Sequence, residues 1–214
     1  MRIGIYGGTF SPIHNGHVAA AKAFMEQMWL DVLYIIPTGI TPHKEMHGDA
    51  TAEDRLEMCR LAFNGMDGII ISDMEMKRTG KSYTVDTLRD FRQRMSPEDR
   101  LFFLMGTDMM LSLDSWKEPA EIFRLCYPVY IRREADKSLD DKLIAAVAHY
   151  NAVYGKVVRK VAVPPLVVSS TEIREKIAKG ISVDDMLPEA VYTYIRNKGL
   201  YQTTAKEETA HAEQ

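Results

Sequence analysis

Two imidazoles three residues apart, His14 and His17, follow a pair of glycines, Gly7 and Gly8, in the stretch GGTFSPIHNGH. Glycine admits backbone approach to a ligand that a Cβ would obstruct. Imidazole donates hydrogen bonds to phosphate oxygens, carries positive charge when protonated, and ligates metals. A phosphate cradle, a metal site and a plain glycine turn with surface histidines are all open at this point. The metal pair is the weaker of these, because no third ligand of matching type follows nearby. Far along the chain, VSSTEIR supplies Ser169, Ser170, Thr171, Glu172, Ile173 and Arg174. Hydroxyls, helix-start N–H groups and a fixed cation make an anion site, although Ser/Thr followed by Glu is equally an ordinary capping box.

Such residues need elements to hold them. Apolar runs at residues 2–6, 32–37, 68–72, 101–105, 128–132 and 157–163 read as strands. The first five are nearly continuously apolar, which predicts a parallel sheet covered on both faces. Helical patterns occupy residues 18–28, 51–63, 83–95, 139–154 and 171–179, and a last helix begins around Pro188 and runs toward Asn197. Thr51 is the expected N-cap of the second, with Asp54 at the capping-box position. Gly180 is the expected stop of the fifth. The alternation predicts right-handed βαβ units: an α/β fold with a doubly wound, Rossmann-like parallel sheet flanked by helices. Ligands in such sheets bind at the C-terminal strand ends. One domain is expected over residues 1–202, followed by a flexible tail at 203–214. His14 and His17 then fall in the loop and first helical turn after the first strand, where a helix N-terminus favours anions.

Composition narrows the classes. With 214 residues, 46% apolar and 27% charged, the chain is an ordinary soluble globular protein. A formal charge of −3 gives no case for a nucleic-acid binder. Cys59 and Cys126 form no CxxC pattern and suit reduced thiols in a cytoplasmic protein. No run has the apolar length of a membrane span or a signal peptide. Three further segments fail as motifs. KRTGKS at 77–82 ends like a Walker A loop but has Glu75 where the first glycine belongs. PHKEMH at 42–47 misplaces Glu45 for a zincin and sits in a proline-bent loop. Met105, Met109 and Met110 are read as gap-filling core.

The string His14-Asn15-Gly16-His17 after a glycine-rich first strand, with VSSTEIR before a late helix, resembles the nucleotidyltransferase α/β-phosphodiesterase superfamily and its nucleotidylyl transferase fold. Two more segments narrow the resemblance. KRTGKSYTVDTL (77–88) is similar to the R-x-G-x-SYT-x-D-T-L pattern of bacterial nicotinate-nucleotide adenylyltransferases, and GTDMMLSLDSWK (106–117) to their G-x-D…L…W-K segment. With the basic end of PTGITPHK (37–44), these matches run in order over nearly the whole chain.

The resemblance implies adenylyl transfer from ATP to nicotinate mononucleotide, giving deamido-NAD and pyrophosphate, with Mg²⁺ carried on the triphosphate. Both reactants are polyanions, so positioning and charge compensation dominate over covalent chemistry. It implies an ATP cleft lined by Gly8, Thr9 and Phe10, with His14 and His17 on the phosphates and His17 the main transition-state stabiliser. Ser170, Thr171 and Arg174 would take the β,γ-phosphates, and Gly106 and Asp108 the adenosine. Trp116 would stack on the pyridine ring, Thr84 at a helix start would receive its carboxylate, and Lys44, His43 and Lys117 would meet the mononucleotide. The departure is Ser11, where the family's usual string GGTFDP has Asp; serine replaces the turn's hydrogen bond but not the charge. Pantetheine-phosphate adenylyltransferase is the nearest rival, a nicotinamide-preferring enzyme and a non-catalytic nucleotide-binding regulator are the others, and a homo-oligomer stays open.

Overall fold

The apolar runs pair into one six-stranded sheet in this computed structural model, which describes residues 1–39, 50–132, 137–163 and 168–202. The strands are β1 (Arg2–Gly8), β2 (Val32–Pro37), β3 (Ile69–Ile71), β4 (Arg100–Gly106), β5 (Tyr127–Arg132) and β6 (Arg159–Ala162). All neighbours are parallel, in the order β3-β2-β1-β4-β5-β6. Eight α-helices accompany them among the described residues: α1 (Asn15–Gln27), α2 (Ala52–Ala62), α3 (Thr84–Arg94), α4 (Thr107–Leu111), α5 (Pro119–Leu125), α6 (Asp140–Tyr154), α7 (Ser170–Ala178) and α8 (Glu189–Lys198).

Successive strand residues point to opposite faces, so the sheet feeds two cores. Leu33, Ile35, Phe102, Leu104 and Val129 pack with α1, α2, α7 and α8. Ile3, Ile5, Val32, Ile36, Leu101 and Phe103 pack with α3, α4, α5 and α6. Gly4 makes the first layer close: a Cβ there would lie 2.4 Å from the Leu30 side chain and 3.0 Å from Phe24. No helix among the described residues is long and apolar enough to cross a membrane.

The expected strands and long helices are present, with shifted ends. The first strand runs on to Gly8, so both glycines belong to it, and α1 starts at Asn15, earlier than its apolar face suggested. Thr51 caps α2, reciprocally with Asp54. Gly180 carries the left-handed φ of 68° that ends α7. Two expectations are corrected. β3 is an edge strand with Ile70 44% exposed, so it is not covered on both faces. α4 and α5 fill the β4–β5 connection, where no helix was expected; both are too short to show a helical period, although Pro119 in the first turn of α5 is a start signal.

Strand order reverses between β1 and β4. Chain connections leave this point in opposite directions, opening a crevice at the C-terminal ends of the two strands. Gly7 and Gly8 end one wall and Gly106 the other.

Candidate active site

The turn after β1 is held by strain and packing together. Phe10 sits at φ 49°, left-handed and costly for a residue with a Cβ. Its ring is 2% exposed and meets Tyr6 and His17 edge-on at 5.4 and 5.1 Å. The two glycines differ. A Cβ on Gly8 would press the Phe10 ring at 3.0 Å, so packing requires that glycine. A Cβ on Gly7 would meet nothing nearer than the Ile36 carbonyl at 3.9 Å, so packing within the fold does not require that glycine.

His14 is the N-cap of α1 and His17 its third residue. Their rings stack at 3.7 Å with an interplanar angle of 27°. The His14 backbone N–H donates to His17 Nδ1 at 3.3 Å. Neutral His17 therefore carries its proton on Nε2, and protonating Nδ1 would sacrifice this bond. Nε2 of the neutral ring is then a hydrogen-bond donor. The Asn15 N–H and side-chain amide donate to the carbonyls of Met186 and Asp185, both at 3.0 Å, which fixes the helix start.

α7 closes the cavity from the far end of the chain. Ser169 caps it, its hydroxyl accepting from the Glu172 N–H at 3.1 Å, so the capping reading of VSSTEIR holds for that residue. The Ser170 hydroxyl donates to the Pro12 carbonyl at 2.9 Å, and an Arg174 nitrogen to the Ser11 carbonyl at 2.7 Å. These side chains thus clasp the β1–α1 turn, a task the sequence did not show. Thr171 Oγ1 accepts from another Arg174 nitrogen at 3.4 Å. Ser11 is 6% exposed and its hydroxyl pairs with the Tyr201 hydroxyl at 3.0 Å. Here the residue that departs from the family string is built into the fold.

Two cavities meet in the crevice. The larger, about 350 Å³, is lined by every residue expected for ATP: Gly8, Thr9, Phe10, His14, His17, Gly106, Asp108, Ser170, Thr171 and Arg174. Arg174 is its one lining arginine or lysine and Asp108 its one lining carboxylate among the described residues. The smaller, about 120 Å³, is lined by Thr84, Trp116 and Lys117 of the expected acceptor residues. His43 and Lys44 lie outside the described residues. Gly7, Gly8, Thr9 and Met109 line both cavities. Met105 and Met110 are core as expected, but Met109 is 37% exposed and faces the junction.

Thr84 opens α3 behind the N-cap Tyr83, and the first N–H groups of a helix have no intrahelical acceptor. Trp116 packs edge-on against Phe103 at 6.2 Å and 72°. Lys117 Nζ lies 3.1 Å from Asp86 and 4.7 Å from the Tyr83 ring centre. Sequence reasoning missed Glu75, which is 8% exposed and lines this cavity. Its Oε1 accepts from the Thr87 hydroxyl at 2.7 Å, which accepts from Arg78 at 3.1 Å, and Arg78 also pairs with Asp90. Burial pushes the Glu75 carboxyl above its ordinary range, against the opposing pull of Thr87 and Arg78. Its signal was an acid standing just before RTGKSYT. Both thiols are buried and line neither cavity; burial pushes Cys59 up and Cys126 to about 12, so neither is a nucleophile.

Comparison with known proteins agrees with this geometry. A cytidylyltransferase-like family model matches residues 5–176. A protein of Shewanella woodyi named as a probable nicotinate-nucleotide adenylyltransferase is 37% identical over 211 residues, covering 95% of this chain and 100% of that one. One of Pseudomonas syringae pv. tomato with the same name is 39% identical over 209 residues and 94% of each chain. The solved structure of Plasmodium falciparum nicotinic acid mononucleotide adenylyltransferase complexed with NaAD matches with a TM-score of 0.72 at 20% identity, over 94% of this chain and 97% of that one, a likeness of fold. The chain is an enzyme of the cytidylyltransferase-like class and belongs to the nicotinate-nucleotide adenylyltransferase family.

Proposed function

We propose that this enzyme joins ATP and nicotinate mononucleotide into deamido-NAD and pyrophosphate. The observation that carries the reading is the junction: a polar cavity and an apolar one share Gly7, Gly8, Thr9 and Met109. A phosphate oxygen of the acceptor attacks the α-phosphorus of ATP there, the new O–P bond forms, and the bond to the β-phosphate bridging oxygen breaks. That oxygen keeps the electron pair and leaves in pyrophosphate. His17 donates from Nε2 to the phosphate charge that grows in the transition state, with His14 stacked behind it. Helix-start N–H groups of α7 and Arg174 hold the β,γ-phosphates, and Gly106 and Asp108 hold the adenosine.

Among the described residues no three His, Cys, Asp or Glu side chains converge on a metal position. Mg²⁺ bound with ATP would be held mainly by phosphate oxygens and water and would offset charge on the triphosphate. On the other side, Trp116 offers its face to the pyridine ring, and the α3 N-terminus at Thr84 takes the carboxylate. The relatives' printed names support an enzyme of pyridine nucleotide synthesis, and the two free, buried thiols a reducing compartment such as the cytoplasm.

One feature favours a second reading: Glu75 on the acceptor wall would accept an N–H from nicotinamide. Pyrophosphate release from Mg-ATP with nicotinate mononucleotide, nicotinamide mononucleotide or phosphopantetheine separates the two. We expect nicotinate to win in kcat/KM by about tenfold or more, the scale of one charge-assisted hydrogen bond. A preference for the amide overturns the specificity, and silence with every acceptor overturns the reaction.

A further inference from the structure

Arg55 is the largest of the fully buried side chains, 2% exposed on the inner face of α2 beside Met58, Cys59 and Ala62. It occupies a place in the helical period where an apolar residue is the ordinary choice. Among the described residues it makes no ion pair with a carboxylate. Burial lowers its pKa, but arginine stays charged at physiological pH. A buried cation without a counter-ion costs far more than an apolar side chain filling the same volume.

What the guanidinium touches explains its presence. One nitrogen, Nη1, donates to the carbonyls of Thr9 and Thr38, each at 2.8 Å. Thr9 is the first residue beyond β1 and Thr38 the first beyond β2. The same two strand ends are joined by the Thr38 N–H, which donates to the Gly8 carbonyl at 2.8 Å. Thr9 lines both cavities and Thr38 the acceptor cavity. α2 is itself braced, because Asp54, next to Arg55, receives the Tyr194 hydroxyl of α8 at 2.7 Å.

We propose that Arg55 is a positioning residue for adenylyl transfer: it locks the ends of β1 and β2 into the floor where the two reactants meet. Its charge, which feels the Glu53 carboxylate without pairing with it, also favours phosphates above that floor. The inference rests on the reaction proposed above for its kinetic arm alone.

The test compares Arg55→Met, which fills the space without charge or donor, with Arg55→Lys, which restores both. Arg55→Met is expected to fold and to lose about 10- to 100-fold in kcat at saturating substrates, the cost of misplacing reacting groups from outside the chemistry. Arg55→Lys should recover most of that loss. Amide exchange at Thr38 should quicken about tenfold or more in Arg55→Met while β4 amides stay protected. A purely structural arginine gives instead a lower melting temperature with unchanged kcat and unchanged Thr38 exchange, which overturns the proposal. Should Arg55→Met not fold, Arg55→Gln against Arg55→Lys decides: equal kcat in the two refutes it. If the wild-type chain turns over no acceptor, the reaction reading fails, and Thr38 exchange still decides the role of Arg55.

Discussion

The two cavities that meet at Gly7, Gly8, Thr9 and Met109 are made of different materials. On the side proposed for ATP the walls are largely backbone turns and helix starts with His14, His17 and Arg174 among them, clasped by bonds between segments 158 and 163 residues apart in sequence. On the acceptor side the walls are side chains, Trp116, Glu75, Thr87 and Lys117, several of them engaged with one another or with Asp86 and Arg78. Preorganised backbone suits the invariant partner, a triphosphate whose charge must be met without rearrangement. Side chains suit the partner that must be told from close analogues. Kinetics can therefore be asked to separate a rate-setting cavity from a specificity-setting one.

The largest expected effect is on the ATP side. His17→Ala should fold normally yet lose about 10²–10⁴-fold in kcat, the usual worth of a positioned donor to developing charge. The acceptor KM should stay nearly constant. Steady-state rates with a thermal melt check both halves. An acceptor KM that moves as far as kcat would break the division between the cavities.

A smaller effect belongs to the acceptor side. Trp116→Ala should raise the KM for the mononucleotide about tenfold and leave that for ATP unchanged, as expected for losing one stacked aromatic face. Trp116→Phe should restore most of it. Equal shifts in both KM values would mean that Trp116 shapes the junction through Phe103 instead of holding the ring.

The same contrast governs what sequence could show. The sheet was legible because short, nearly continuous apolar runs alternating with helical patterns suit a parallel sheet covered by helices, and the cavity proposed for ATP because its glycines, histidines and Ser/Thr-Arg fall at strand and helix ends, although each alone also reads as a turn or a cap. Ser170 and Arg174 were readable as residues but not as a clasp, since hydrogen bonds across the chain follow from tertiary closure. Arg55 was invisible in its role, although an arginine inside the apolar stripe of residues 51–63 was a mark worth following. α4 and α5 escaped because five- and seven-residue helices carry too little period. Glu75 escaped because only burial separates it from the many surface acids of this chain.

Glu75 supplies the smallest and most discriminating test. Burial raises its carboxyl pKa above the ordinary 4.5, with Thr87 and Arg78 pulling the other way. The native state then binds this proton more tightly than the unfolded chain does. Its contribution favours folding at low pH and is lost as pH rises from that ordinary value through the folded one. Glu75→Gln keeps the shape and never ionises, so relative to wild type it should fare better near neutrality than near pH 4.5. Urea unfolding at the two pH values reads this directly, and a difference of opposite sign would refute the burial argument. Where the carboxyl is ionised, the variant also removes negative charge from a cavity proposed for an acid. The KM for nicotinate mononucleotide should fall a few-fold, as for one partly screened charge, while that for nicotinamide mononucleotide should not. If instead the nicotinate KM rises, Glu75 serves the acceptor wall by holding Thr87 in place, and its charge is tolerated there because Arg78 stands behind the same hydroxyl.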